Sequence, residues 1–281
     1  MLITSSILKK VYKTRRAWSH KGDFGRLLVI GGSKKYSGSP AFNALAALSM
    51  SAYRTGTDVV EVISPRRAAD IIATYSPDLI TIPLDGNYIE KKHLLILLRE
   101  SKNKSAFVIG GGMERNKSTL SAVGNYLRKI KIPGVIDADA IYAIKNINID
   151  LRNFVITPHS HEFYILTRKK TTENLKERIA LVKQQAKKLN TTILLKGHID
   201  IISNGKETAI NRTGTPYMTK GGTGDTLAGI VGSLIAQKNS LFLSACAAAY
   251  INGKAGELTK KKTSLVASDL LNEIGKIVDN T

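Results

Sequence analysis

The chain has 281 residues, 43% of them hydrophobic, with 23 glycines and 7 prolines, which excludes disordered and fibrous classes and fits one large α/β core. Forty-two Lys and Arg against 22 Asp and Glu leave a formal net charge of +20, yet the basic residues are scattered and aromatics make up only 6%, so anionic small ligands are favoured over a nucleic-acid face. The single Cys246 builds neither a disulfide framework nor a zinc site.

No apolar run reaches the roughly 18 residues of a membrane span, because Gln237-Lys238-Asn239-Ser240 divides residues 227–236 from 241–251. The N-terminus has no secretory apolar core. It is acid-free before Asp23 and carries Lys9, Lys10, Lys13, Arg15 and Arg16, a pattern compatible with a transit peptide, while the cytoplasm is the default location.

In chain order, Leu27-Leu28-Val29-Ile30 is apolar and closed by Gly31-Gly32, the pattern of a buried strand entering a loop. Residues 33–40 form that loop. An alanine-dense helix is expected from 41 to about 54, ending near Gly56, and then a strand over 58–63. Strand, glycine loop, helix, strand begins a parallel sheet. Neither Gly-x-Gly-x-x-Gly nor the Gly-Lys-Ser/Thr ending of a P-loop occurs here.

The pattern recurs. Residues 106–109 run into Gly110-Gly111-Gly112, a helix is expected over about 118–130, and the strand 134–136 ends at Asp137-Ala138-Asp139. Another strand, 154–156, ends at Thr157-Pro158-His159. An amphipathic helix over about 172–190 follows, with Leu175, Ile179, Val182, Ala186 and Leu189 on one face. The strand 193–195 reaches Lys196-Gly197-His198, and residues 199–202 turn through Asn204-Gly205 into 207–210 as a hairpin. Two helices close the series, over 226–236 and 240–254.

Polar, potentially reactive residues thus recur just after strand ends, the edge where ligands bind in open α/β sheets. Gly221, Gly222 and Gly224 crowd before a helical run, so backbone N–H groups at a helix N-terminus can take an anion, with Asp225 as a carboxylate facing it. Asp137 and Asp139 read either as turn formers at a strand end or as site residues.

Taken together, His20-Lys21-Gly22-Asp23-Phe24-Gly25, Gly31-Gly32-Ser33, Gly110-Gly111-Gly112, Asp137-Ala138-Asp139-Ala140, Thr157-Pro158-His159-Ser160-His161-Glu162, Lys196-Gly197-His198 and the loop 221–225 read as one site. In order and spacing they resemble the ADP/ATP-dependent NAD(P)H-hydrate dehydratases of the ribokinase-like superfamily. The resemblance runs from about His20 to about Gly253. It implies one three-layer α/β/α domain over 1–281 with a mostly parallel central sheet, and no N-terminal epimerase domain.

The activity it implies is dehydration of the S form of NAD(P)H hydrate (NADHX or NADPHX) to NAD(P)H, driven by ADP or ATP with Mg²⁺. By motif, Asp225 would be the catalytic base, and Ser39, Gly112, His159 and Asp225 would contact the hydrate. The nucleotide would lie on Lys196, Gly197, His198, Ile199 and Asp200 and on Gly222, Thr223 and Gly224. No metal ligand is assigned; Glu162, acting through water, is the candidate. A homo-oligomer, a tetramer, is also implied, with no nucleic-acid or membrane partner. The alternatives are a thiazole or sugar-alcohol kinase of the same superfamily, and a non-catalytic nucleotide- or nucleic-acid-binding protein. Three positions depart from the usual pattern: Gly110-Gly111-Gly112-Met113-Glu114 replaces Gly-Pro-Gly-x-Gly, Ser160-His161 replaces Pro-Gly, and Ser39 stands where alanine is usual.

Overall fold

The computed structural model describes residues 1–47, 56–145 and 147–279. Nine strands, β1 (Arg26–Ile30), β2 (Val59–Pro65), β3 (Ile80–Leu84), β4 (Ala106–Ile109), β5 (Gly134–Ile136), β6 (Phe154–Ile156), β7 (Thr192–Leu195), β8 (Asp200–Ser203) and β9 (Thr208–Asn211), form one sheet in the order β3-β2-β1-β4-β5-β6-β7-β8-β9. Strands β1 to β7 pair in parallel, and β8 and β9 are antiparallel. The helices are α1 (Leu8–Val11), α2 (Gly38–Ala47), α3 (Arg66–Ala73), α4 (Leu94–Ser101), α5 (Lys117–Lys129), α6 (Asp139–Ile144), α7 (Ser160–Thr167), α8 (Leu175–Leu189), α9 (Thr223–Ala236), α10 (Leu241–Leu258) and α11 (Ala267–Asp279).

The central strands are apolar on both faces because both are covered. Leu27 and Val29 of β1 face the core built with α2, α9, α10 and α11. Leu28 and Ile30 face the opposite core, with α4, α5 and α6. On that second side Phe163 of α7 and Val182 and Ala186 of α8 cover Ile193 and Leu195 of β7. Helix, sheet, helix is therefore the layer order, the three-layer α/β/α arrangement expected from the sequence.

The chain runs outward from β1 to β2 and β3, then restarts beside β1 with β4. This reversal opens a crevice between the loops that follow β1 and β4. Small residues bring α9 under it. A Cβ on Gly229 would lie 2.2 Å from the carbonyl oxygen of Asn43 in α2, and one on Gly232 would lie 2.3 Å from Val108 of β4.

Several boundaries differ from the sequence expectation. Helix α2 starts at Gly38, ahead of the expected Ala41, and the rest of that expected helix, residues 48–54, lies outside the described residues. Helix α9 starts at Thr223, one turn earlier than expected, and α8 starts at Leu175 under an Asn174 cap that accepts from the N–H groups of Lys176 and Glu177. Elements α1, α3, β3, α4, α6, α7 and α11 have no counterpart in the sequence expectation. The 204–205 hairpin forms as expected, and Met1 to Ile3 cover the outer edge of β9 through bonds to Ile210.

The grouping of all seven loops into one site is corrected here. The segment His20 to Gly25 precedes β1, so it lies at the N-terminal edge of the strands, by the C-terminal end of α9. A Cβ on Gly25 would lie 2.2 Å from the carbonyl oxygen of Ala236, and Asp58 Oδ2 accepts from the N–H groups of Gly22 and Phe24. The length of α9, ~20 Å at 1.5 Å per residue, separates this segment from Asp225. A cavity of about 940 Å³ there is lined by Lys13, Arg15, Lys21, Asp23, Asp58 and other residues, none from the Asp225 cluster.

Gly229→Ala should lower stability by about 2–4 kcal/mol by overpacking α9 against the α2 backbone. Gly38→Ala, where an added Cβ meets nothing within 4 Å, should be neutral. Urea unfolding of the two variants checks both.

Candidate active site

At the C-terminal edge, residues that follow β5, β6 and β7 and the start of α2 meet at the first turn of α9. Gly222 caps that helix with φ 98°, a left-handed conformation that glycine adopts without strain. Thr223 Oγ1 donates to the carbonyl oxygens of Met218 and Lys220 at 2.8 and 3.0 Å, which locks the loop below the helix. Asn252 of α10 accepts from Thr226 Oγ1 at 2.7 Å and donates to the Thr223 carbonyl at 3.2 Å. The first turn is thereby fixed to two neighbours, and as a helix N-terminus it carries N–H groups without intrahelical partners, an end whose chemistry suits an anion.

Asp225 sits in this turn, partly buried. Ser39 Oγ, from the first turn of α2, donates to Asp225 Oδ1, and Asn43 Nδ2, one turn on, donates to the Asp225 carbonyl at 2.8 Å. The Asp225 carboxyl is pushed up to about 6. Loss of solvent is the main cause, and the Asp137 charge adds to it and Glu162 more weakly, while the Ser39 hydrogen bond and Lys196 pull the other way.

Lys196, just past β7, ties the neighbouring strand ends together. Its Nζ lies 2.9 Å from Asp137 Oδ1 past β5 and 3.8 Å from Glu162 Oε2 on α7. Asp137 also accepts from Thr157 Oγ1 at 2.7 Å, past β6. Asp137 and Glu162 side chains are only 4% and 7% exposed, so this one cation neutralises two buried carboxylates. Burial works against the ammonium, but Asp137, Glu162 and Asp225 outweigh it and raise the Lys196 pKa. A Cβ on Gly224 would lie 3.4 Å from Lys196 Nζ, which puts the ammonium against the anion-binding turn.

His159 caps α7. Its Nδ1 accepts from the N–H groups of His161 and Glu162, and Glu162 Oε2 accepts from the His159 N–H at 2.9 Å, a reciprocal capping box. The imidazole proton is then on Nε2, which stands 3.5 Å from Glu162 Oε1 on a side chain 54% exposed to the crevice mouth. Gly112, with φ 64°, packs on Tyr36, and Gly110, with φ 135°, would place a Cβ 1.8 Å from the Asp137 carbonyl oxygen. The glycine loop therefore touches the Asp137 strand end directly.

Beyond Lys196, Gly197 donates to Asp200 Oδ1 at 3.0 Å and Asn211 Nδ2 donates to Asp200 Oδ2 at 3.1 Å. Burial pushes the Asp200 carboxyl up to about 6 against those two bonds. His198 is exposed, and the Ile199 carbonyl accepts from Arg178 at 3.4 Å. Residues 197–200 thus form a braced turn beside the carboxylate cluster, which of this stretch includes only Lys196.

Of the two strand-end aspartates left open by the sequence, Asp137 enters the cluster. Asp139 instead braces the glycine loop, accepting from the N–H of Glu114 at 3.0 Å and from Arg115 Nε at 2.7 Å. Sequence reasoning places Thr157 in a site loop without a role, and it misses Asn43 as a partner of the site. Asn43 is detectable as a lone amide in the alanine-rich α2.

Among the described residues no cluster of three or more His, Cys, Asp or Glu could by itself hold a metal ion. Asp137 and Glu162 nevertheless present carboxylate oxygens beside the anion-binding turn, the donor type that suits Mg²⁺ carried in on phosphate with most of its waters.

The model of the family described as NAD(P)H-hydrate dehydratase matches residues 27–279. This chain belongs to that family. It is 36% identical over 282 residues to an ADP-dependent (S)-NAD(P)H-hydrate dehydratase of Nitrosopumilus maritimus, covering 98% of this chain and 96% of that one. It is 40% identical over 269 residues to a bifunctional NAD(P)H-hydrate repair enzyme of Pyrobaculum aerophilum, and that match covers 94% of this chain but 52% of the relative; the chain spans about half the length of such bifunctional relatives. The crystal structure of an ADP/ATP-dependent NAD(P)H-hydrate dehydratase from Bacillus subtilis, co-crystallized with ATP/Mg2+, superposes with a TM-score of 0.85 at 26% identity, covering 99% of this chain and 97% of that one.

Lys196→Met should cost about 3 kcal/mol of stability by leaving Asp137 and Glu162 as uncompensated buried charges. Denaturant unfolding of the variant beside the wild type measures that loss.

Proposed function

We propose that this protein uses an adenine nucleotide to dehydrate the S form of hydrated NADH or NADPH back to the reduced cofactor. One observation supports this above the others: a carboxylate with its pKa near 6, Asp225, stands in the same helical turn as the anion-binding N–H groups of α9 and beside Lys196. A base and a phosphoryl cradle in one turn suit transfer of a phosphoryl group to a hydroxyl.

The chemistry follows from what must leave. Hydroxide is a poor leaving group, so the ring hydroxyl of the hydrate is first phosphorylated and phosphate then departs. Asp225 takes the hydroxyl proton as the hydroxyl oxygen attacks the terminal phosphorus of the nucleotide. The N–H groups of Gly222, Thr223 and Gly224, with the Lys196 ammonium, hold the transferring phosphoryl group electrostatically. The ring nitrogen lone pair then expels phosphate, and loss of the neighbouring C–H proton restores the dihydropyridine. Ser39, Gly112 and His159 line the hydrate side in this reading, while Lys196, Gly197, His198, Ile199 and Asp200 form the nucleotide side. Mg²⁺, when bound, offsets phosphate charge, and Glu162 would hold it through water.

The relatives support the choice of reaction. One full-length relative carries the ADP-dependent activity in its name, and the Bacillus subtilis protein was crystallized with ATP/Mg2+. A homo-oligomer, expected as a tetramer, and a cytoplasmic location belong to the same reading.

Mixing the protein and Mg²⁺ with NADH hydrate and ADP, ATP or no nucleotide tests it. Near-ultraviolet absorbance of reduced nicotinamide should rise only where nucleotide is present; a flat trace from protein that binds ATP would overturn the reading. Asp225→Asn should reduce turnover by at least about 10²-fold and leave nucleotide affinity within a few-fold. Because Asp225 must be ionised to accept the proton, kcat/KM should fall as pH drops through about 6 and level off above it.

A further inference from the structure

Ser39 supplies a hydroxyl that donates to Asp225 Oδ1. A Cβ at Gly111 would lie 2.2 Å from Ser39 Oγ, 3.0 Å from Asn43 Oδ1 and 3.2 Å from Ser39 Cβ. The hydroxyl oxygen is the atom that such a Cβ would overlap, whereas the distances to Ser39 Cβ and Asn43 require only small shifts. A side chain at 111 would thus force the Ser39 hydroxyl out of the position it holds against Asp225.

We infer that Ser39 is a positioning residue for the base: its hydroxyl occupies Oδ1 of Asp225, leaves Oδ2 as the proton-accepting oxygen, and depends on Gly111 for the space it fills. The inference rests on the reading of Asp225 as the base. A carboxylate with one oxygen engaged by a fixed donor is held in one rotamer, and a donor to the charged form favours ionisation. The Asn43 bond to the Asp225 carbonyl fixes the backbone of the same residue, so α2 holds the base at both its main chain and its side chain.

The surroundings make that donor consequential. Asp225 faces Asp137 past β5 and Glu162 on α7, both of which favour the protonated form, and Lys196 past β7, which favours the ionised form. From α2 it meets the uncharged Ser39 and Asn43, and the loop past β4 presents only glycine backbone near Ser39. Lys196 already divides its charge between Asp137 and Glu162. Ser39 is the neutral donor that tips Asp225 toward ionisation without adding a charge to the crevice.

The test is a carboxyl ¹³C titration of the full chain, with the Asp225 resonance assigned by its loss in Asp225→Asn, run on the wild type, Ser39→Ala, Gly111→Ala and the double variant. In Ser39→Ala the Asp225 midpoint should rise by roughly one pH unit. Gly111→Ala should produce a comparable rise by pushing the hydroxyl off Oδ1, and the double variant should move no further than either single one, the signature of a shared interaction. The pH profile of kcat/KM should shift with it, so that Ser39→Ala loses about fivefold more at pH 6 than on the alkaline plateau. An Asp225 midpoint unmoved in Ser39→Ala, or additive shifts in the double variant, would overturn the inference. A midpoint that moves in a protein with no dehydratase activity would instead leave the Ser39 contact standing and remove the proposed function.

Discussion

A single ammonium, Lys196 Nζ, holds the candidate site together. Asp137, Glu162 and Asp225 project from different elements into one partly desolvated crevice, and all three act electrostatically on Lys196. Without a cation among them, three carboxylates at that spacing would repel and take up water or protons. With it, Asp137 and Glu162 remain buried and Asp225 is left with a proton affinity near the working pH of a general base. The same cation lies against Gly224, so the charge that stabilises the cluster also faces the turn where a phosphoryl group would sit.

That electrostatic arrangement depends on close packing beneath it. Helix α9 carries Asp225 at its start, and its glycines let it lie on β4 and against the α2 backbone. Helix α2 in turn brings Ser39 and Asn43 to Asp225. The reversal of strand order between β1 and β4 sets both helices at the mouth of one crevice. Packing, topology and charge therefore converge on the same few residues.

Much of this was legible in the sequence, for identifiable reasons. Residues 27–30 and 106–109 are short apolar runs closed by glycine, and both became central strands because burial on both faces leaves that pattern. The start of α9 was read one turn late, since Thr223, Gly224 and Asp225 resemble loop residues when judged by propensity, and the fixed cap at Gly222 overrides propensity. The segment from His20 to Gly25 resembles the other glycine loops in composition. Its position before β1 places it on the opposite edge of the sheet, and chain order relative to the strand was the available signal. Strand β3 escaped notice because Pro83 and the exposed Ile80 give an edge strand little of the usual pattern. The pairing of Lys196 with Asp137 joins residues 59 positions apart, and nothing local in either segment announces it.

If phosphorylation activates the ring hydroxyl of the hydrate, the fate of the hydroxyl oxygen reports it directly. With NADH hydrate labelled with ¹⁸O in that hydroxyl, turnover through a phosphorylated hydroxyl breaks the C–O bond after phosphoryl transfer, so the label should appear in inorganic phosphate. Label released into water, with unlabelled phosphate, would show that nucleotide hydrolysis and dehydration are separate events, and would contradict the role given to Asp225 and the first turn of α9.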